Sequence, residues 1–321
     1  MNFKGVDFWP HGKNFPIMPH RFKAVPVSII AFVLSVIVLS VNGLNFGIDF
    51  KGGSLFEIQT KSGPVDVGQL RDDLNQLGLG DIQIQGLDKP TDALIRVEEQ
   101  PATEELTSEK AQQAAAAKVA AALGSDIEIR RSEVVGPAVS GELKQAGLIA
   151  VLSAIFGILL YIWFRFEWQF GIAAIVALVH DITITLGIFS ILGLTFGLTE
   201  VAALLTLAGY SINDTVVVFD RIRENLRRYK KMALDQLMNQ SINETLSRTV
   251  VTSGTTFVAV LAIYIFGTEV IKGFAFAMLF GILIGTWSSI FVASPFLLWV
   301  GVKRDWSKEG SATGTEVISK T

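Results

Sequence analysis

Six stretches of this 321-residue chain are apolar over lengths at or near the ~20 residues a helix needs to cross a bilayer core. They are Ala24–Val41, Ala146–Phe164, Gly171–Leu192, Thr199–Phe219, Val250–Phe266 and Phe274–Val300. Half of all residues are hydrophobic and only 18% are charged, against about 25% in an ordinary soluble protein. A disordered chain is excluded as well, because such chains are poor in hydrophobic residues. The chain has no cysteine, so disulfides, thiolate metal sites and cysteine nucleophiles are absent. A net charge of −3 leaves no global basic footprint for nucleic acid.

An even number of spans puts both termini on one side. The segment before Ala24 carries Lys4, Lys13, Arg21 and Lys23 against Asp7. The connection between the fourth and fifth spans carries Arg221, Arg223, Arg227, Arg228, Lys230, Lys231 and Arg248, and the tail carries Lys303, Arg304, Lys308 and Lys320. On the opposite side, the connection between the third and fourth spans holds no Lys or Arg and the one between the fifth and sixth only Lys272. The positive-inside rule therefore predicts cytoplasmic termini. Residues 1–23 and 301–321 become cytoplasmic segments, 24–41 the first membrane helix, 42–143 an outward-facing soluble domain, and 146–300 the remaining five helices. A cleavable signal peptide fits the first span poorly, since no A-x-A-like site follows Val41; an uncleaved anchor is expected.

Residues 42–143 carry an excess of acids and a readable pattern. Leu55–Thr60, Ile82–Gln85, Ala93–Val97 and Ile127–Val135 read as strands. Val67, Leu70, Leu74 and Leu77 repeat at helical spacing before Gly78, and Thr107–Leu123 is an Ala-rich helix closed by Gly124. The order β-α-β-β-α-β predicts a split βαβ, ferredoxin-like domain. The expected fold class is thus an α-helical polytopic membrane protein with six transmembrane helices and an inserted α+β domain.

A charge at mid-bilayer costs roughly 2.5–3.5 kcal/mol on insertion scales, so ionisable residues inside the spans point to function. His180 and Asp181 are adjacent near the middle of the third span. Asp214 lies near the cytoplasmic end of the fourth, and Arg248 where the fifth begins. If those spans are neighbours, Asp214 and Arg248 can pair, and a proton arriving on the acid would release the arginine. The same spacing also suits a static pair that fixes helix register. His180 is expected to hydrogen-bond Asp181, and Glu200 to sit solvated at the outer interface. Gly281 and Gly285, and the run Gly254–Thr255–Thr256, offer close helix contact. The loop 220–249 alternates basic residues with Ile222, Leu226, Tyr229, Leu234, Leu237, Met238 and Ile242, which suits an interfacial helix on anionic lipid.

No Walker A, HExxH or GxSxG pattern occurs, so ATP binding, zinc proteolysis and serine hydrolysis are not expected. Three motifs carry a resemblance: G-I-D-F-K-G-G (Gly47–Gly53), G-Y-S-I-N-D-T-V-V-V-F-D-R-I-R-E-N (Gly209–Asn225) and S-R-T-V-V-T-S-G-T-T (Ser247–Thr256). The chain resembles the SecD/SecF family of the bacterial Sec protein-export system, and its length and span order match the shorter SecF branch. The resemblance implies an RND-like membrane core and a non-enzymatic export subunit in the inner membrane. It implies no cofactor, the energy source being the proton gradient. It also implies Asp214 and Arg248 as proton-pathway residues, with Asp181 and His180 nearby. Asp49, Gly52 and Gly53 fall on the shared DFxGG motif and are expected to be structural. The implied partners are SecD, the SecYEG channel with SecA, YajC and YidC, an unfolded preprotein handled by a periplasmic domain at 42–143, and membrane lipid.

Two other classes compete. A small-molecule or lipid efflux subunit of the same superfamily would need a second half, since six spans and one soluble domain make half of such a machine. An intramembrane aspartyl protease would use Asp181 and Asp214, but the GxGD pattern is missing: Ile212 and Asn213 precede Asp214.

Overall fold

The structure, a computed structural model, describes residues 14–87, 89–102 and 106–302. The expected cytoplasmic segment up to residue 13 and the tail from 303 lie outside them. A 3-10 turn, Met18–His20, opens into α1 (Arg21–Asn42), followed by the short strand β1 (Asn45–Phe46) and one helical turn, α2 (Ile48–Lys51). The α+β unit comprises β2 (Gly53–Thr60), α3 (Val67–Asn75), β3 (Ile82–Gly86), β4 (Asp92–Val97), α4 (Ser108–Ala122) and β5 (Ile127–Val135). Then come α5 (Pro137–Arg165), α6 (Trp168–Leu192), the short β6 (Thr195–Phe196), α7 (Leu198–Arg228), α8 (Leu234–Phe266) and α9 (Glu269–Ser288). A π-helical turn, Ser289–Ala293, joins α9 to α10 (Ser294–Val300).

In the α+β unit the strands are ordered β3-β4-β2-β5 and every pair is antiparallel. Period-2 alternation turns Phe56 and Ile58 of β2, Ile82 and Ile84 of β3 and Ile95 and Val97 of β4 to one face. There they meet Leu70 and Leu74 of α3 and Ala115 and Val119 of α4. Asp66 starts α3 by accepting from the Gly68 and Gln69 amides at 3.0 Å, the side-chain cap a helix start needs. The Gln112 amide donates to Ser54 Oγ at 2.7 Å, tying α4 to β2.

Among the described residues, six helices are long and apolar enough to cross a membrane. The three central ones are α6, α7 and the last span, with 56%, 56% and 50% of their most apolar stretch buried; α1, α5 and α8 flank them at 17%, 11% and 11%. The α7 and α8 helices run beyond their apolar stretches into the connection between them. Ile222, Leu226, Leu237, Met238 and Ile242 are fully buried there, packed in one cluster with Met18. The expected interfacial helix over 220–249 is therefore a helical hairpin whose apolar stripes face each other. Asn239 and Asn243 of α8 hold the entering chain by hydrogen bonds to Phe15 and Met18.

The α+β unit is seated on the helices through the connections at one end of the bundle. β1 pairs in parallel with β6, Asn45 opposite Thr195 and Phe46 opposite Phe196. Phe46, Phe50, Phe189 and Phe196 meet as ring pairs 5.9–6.3 Å apart between centroids. Arg96 of β4 donates to Thr195 Oγ1 at 2.9 Å. A cavity of about 450 Å³ separates the sheet from the helix ends.

Candidate functional site

The Gly47–Gly53 segment is the joint between the two units. Gly52 and Gly53 adopt φ of 76° and 119°, a region that side chains disfavour. A side chain on Gly53 would also run into the Val97 carbonyl. The Asp49 side chain reaches across to the helices. Its Oδ2 accepts from the Leu198 amide at 2.9 Å, stabilising the positive end of α7. Glu200 corrects the sequence expectation. It is 8% exposed, accepts from the Gly197 amide at 2.7 Å and sits against Gly273 of α9, where a Cβ would strike its carboxylate.

The second cluster lies deep among the helices. Asp181 is fully buried and Asp214 is 6% exposed. At 1.5 Å per residue, Asp214 lies about 24 Å along α7 from its start, toward the far side of a bilayer core about 30 Å thick. Asp181 Oδ1 lies 2.9 Å from His180 Nδ1, the neighbour contact read from the sequence. Its Oδ2 accepts from Ser211 of α7 at 2.5 Å and from Ser288 at 2.7 Å. Asp214 Oδ1 accepts from Thr249 of α8 at 2.7 Å, and its Oδ2 from Ser289 at 2.7 Å. A bond from Ser253 to Thr286, 2.8 Å long, ties α8 to α9 one turn away.

Arg248 is placed differently from the pairing expected. Arg248 stands just before the apolar stretch of α8, a helix that itself begins earlier, at Leu234. Its side chain is exposed, and the adjacent Thr249 is the residue turned to Asp214. The other imidazole nitrogen of His180, Nε2, is enclosed without a hydrogen-bond partner, and the ring lines an apolar groove between α1, α6 and the last span.

Gly281 and Gly285 bring α9 close enough for these bonds. A side chain at Gly281 would overlap Leu207, and one at Gly285 would lie 3.3 Å from Ser211 Cβ and 3.6 Å from Asp181 Oδ2. Gly254, by contrast, has nothing within 4 Å, Thr255 is exposed and Thr256 half-buried, so the α8 glycine makes no close contact among the described residues. Four hydroxyls, those of Ser211, Thr249, Ser288 and Ser289, complete the cluster, and sequence reasoning does not single them out. Their signals there are that Ser211 and Thr249 fall inside the quoted motifs and that Ser288–Ser289 is a polar pair inside an apolar span.

These hydroxyl donors let the cluster hold charge in a low-dielectric setting, since a buried carboxylate without donors is strongly disfavoured. Each donor is also an acceptor, so the same groups can receive a hydrogen bond from a protonated acid.

Two family models match. "Protein export membrane protein SecD/SecF, C-terminal" covers residues 115–303, and "SecD/SecF GG Motif" covers residues 37–63. The chain is 47% identical over 291 residues to protein translocase subunit SecF of Desulfurispirillum indicum, covering 88% of this chain and 91% of that protein. It is 39% identical over 309 residues to protein translocase subunit SecDF of Brucella abortus, covering 96% of this chain and 40% of that one. The solved structure of SecDF, a translocon-associated membrane protein from Thermus thermophilus, superposes with a TM-score of 0.79 at 36% identity. The chain spans 92% of its own length and 40% of the SecDF chain in that match. With its matching motifs, its six long helices and relatives aligned almost end to end, the chain belongs to the SecD/SecF family of protein-export membrane proteins.

Proposed function

We propose that this chain is the SecF-type half of a proton-driven export machine. It works with a SecD-type partner to draw preproteins outward through the SecYEG channel after the SecA step. The observation that carries the reading is Asp214: an acid enclosed between α7, α8 and the last span, with a hydroxyl from each of the two partner elements on its two oxygens. Such an acid can bind and release a proton with a change of hydrogen-bond direction on both neighbouring helices. One charge crossing 100 mV is worth about 2.3 kcal/mol, so a few protons per cycle suffice to bias a two-state rearrangement. Asp181 with His180 extends the path on α6, and Arg248 biases Asp214 electrostatically. In this reading the termini are cytoplasmic, the membrane is the bacterial inner membrane, and the α+β unit is the ferredoxin-like periplasmic domain. The 40% coverage of single-chain SecDF proteins supports a SecD-type partner, because their remaining length is room for it. SecYEG, SecA, YajC, YidC and the preprotein remain partners proposed by family membership.

Asp214→Asn tests this reading in inner-membrane vesicles containing the chain with its SecD-type partner. The variant should co-purify with the partner as wild type does, yet lose the stimulation of preprotein export by an imposed proton gradient. Export that still responds fully to the gradient overturns the proposal.

A further inference from the structure

Two neighbouring residues of the last span each touch a different buried acid. Ser288 Oγ donates to Asp181 on α6 and Ser289 Oγ to Asp214 on α7, both at 2.7 Å, and both serines are fully buried. Successive helical residues point about 100° apart, so one backbone turn reaches two helices at once. Each hydroxyl also has a second acceptor three residues back. The Gly285 carbonyl is 3.1 Å from Ser288 Oγ, and the Thr286 carbonyl is 3.0 Å from Ser289 Oγ.

A hydroxyl has one proton and two lone pairs. While an acid is ionised, its serine donates to it. When the acid takes up a proton, the acid becomes the donor, and the serine accepts and turns its own proton to the carbonyl. Hydroxyl bonds of that kind compete with the backbone ladder and bend helices. Here the ladder is already altered: the π-helical turn starts at Ser289, and Ser294 Oγ donates to the Ser289 carbonyl at 3.0 Å. Single π-turns inside α-helices are frequent at functional sites.

We propose that Ser288 and Ser289 are positioning residues that make Asp181 and Asp214 one coupled proton site, with the π-helical turn as the element that carries the coupling. The inference rests on the proton-exchange reading of Asp214. The titratable and charged groups facing the pair are His180 on α6, Tyr210 one turn before Asp214 on α7, and Arg248 on α8; the last span brings the serine hydroxyls.

The test is infrared titration of the full-length chain in lipid nanodiscs, reading the carboxyl band that Asp214→Asn removes. Ser289→Ala should make Asp214 take up its proton about tenfold more readily, about one pH unit, because a donor to the carboxylate is lost. Ser288→Ala touches Asp181 alone, yet should move the Asp214 midpoint by about threefold or more. That second shift should vanish in an Asp181→Asn background, and Ser288→Thr, which keeps the hydroxyl, should leave the midpoint at its wild-type value. Should Ser288→Ala not fold, Ser288→Cys keeps the volume with only a weak donor and should give the same shift. An Asp214 midpoint unmoved in the folded Ser288 variants overturns the coupling, as does a shift that survives Asp181→Asn. A wild-type Asp214 that never changes protonation between about pH 5 and 9 overturns the proton-exchange reading itself.

Discussion

Asp92 at the start of β4 shows how one side chain can set the acid limit of the α+β unit. Its burial works against ionisation. Hydrogen bonds from Thr91 and Gln59, each 2.7 Å, and the charges of Lys89 and Arg130 outweigh that and hold its carboxyl below the usual value. A carboxyl held low in the folded state adds stability above the ordinary carboxylate range, about pH 4, and loses it as pH falls through the lower folded value. Thermal unfolding of the α+β unit, followed by circular dichroism of the full chain across that range, should fall steeply toward acid in wild type and less steeply in Asp92→Asn. Equal slopes would mean Asp92 contributes nothing to the acid limit. Among the membrane residues, Asp181, His180 and Asp214 are legible in the sequence because an ionisable group in an apolar stretch stands out, whether it exchanges protons or fixes helix register. The serines are not. Thr206, Thr252 and Thr255 look the same in sequence and bond to carbonyls of their own helix, which is the ordinary fate of such hydroxyls. What separates Ser288 and Ser289 from them is the partner across the helix gap, and sequence does not contain it. Glu200 reads as solvated for the same reason: its burial comes from Gly273 of α9, remote in the chain.

At the scale of elements, apolar runs mark all six spans but not the helix ends. The α7 helix continues to Arg228 and α8 starts at Leu234, because their polar extensions pack on each other through Ile222, Leu226, Leu237 and Met238. Hydropathy records where lipid would be, whereas helix length is set by where backbone pairing and packing stop. The strands of the α+β unit are legible throughout, since period-2 alternation reports which side is buried directly. Helix contacts follow the same logic as the serines: the glycine spacing is visible, its neighbours are not. Gly285 on α9 faces Ser211 and Asp181, while Gly254 on α8 faces open space. Gly285→Val should therefore push α9 from α7 and lower stability by about 1–3 kcal/mol. Gly254→Val should stay within about 0.5 kcal/mol. Thermal melting of both variants in the same detergent decides this, and equal losses would mean that the α9–α7 approach does not depend on Gly285.

For the whole molecule, the question is whether the α+β unit rides rigidly on the helices or swings on them. Three features lock the joint: the β1–β6 pairing, the phenylalanine cluster beneath it, and Asp49 on the first turn of α7. Arg96 adds a fourth from the sheet to Thr195. Phe50 is 7% exposed and Phe189 and Phe196 are 1% and 8%, so separating the seam would expose several aromatic rings, each worth roughly 1.5–3 kcal/mol of burial. The deep site has the opposite character, built from hydroxyls that can reverse their bonds at little cost. Motion driven by protons should therefore begin at the π-turn and leave the seam closed. The chain has no cysteine of its own, so Asn45→Cys with Thr195→Cys places a single pair where the strands run side by side. Directly paired strand positions lie close to the separation a disulfide requires, roughly 4.4–6.8 Å between Cα atoms. Mild oxidation in membranes should close that bond in nearly all molecules, and gradient-stimulated export should be unchanged by it. Export that stops on oxidation and returns with a reductant would show that the seam opens during turnover, and the moving joint would then lie at the surface of the bundle rather than at its centre.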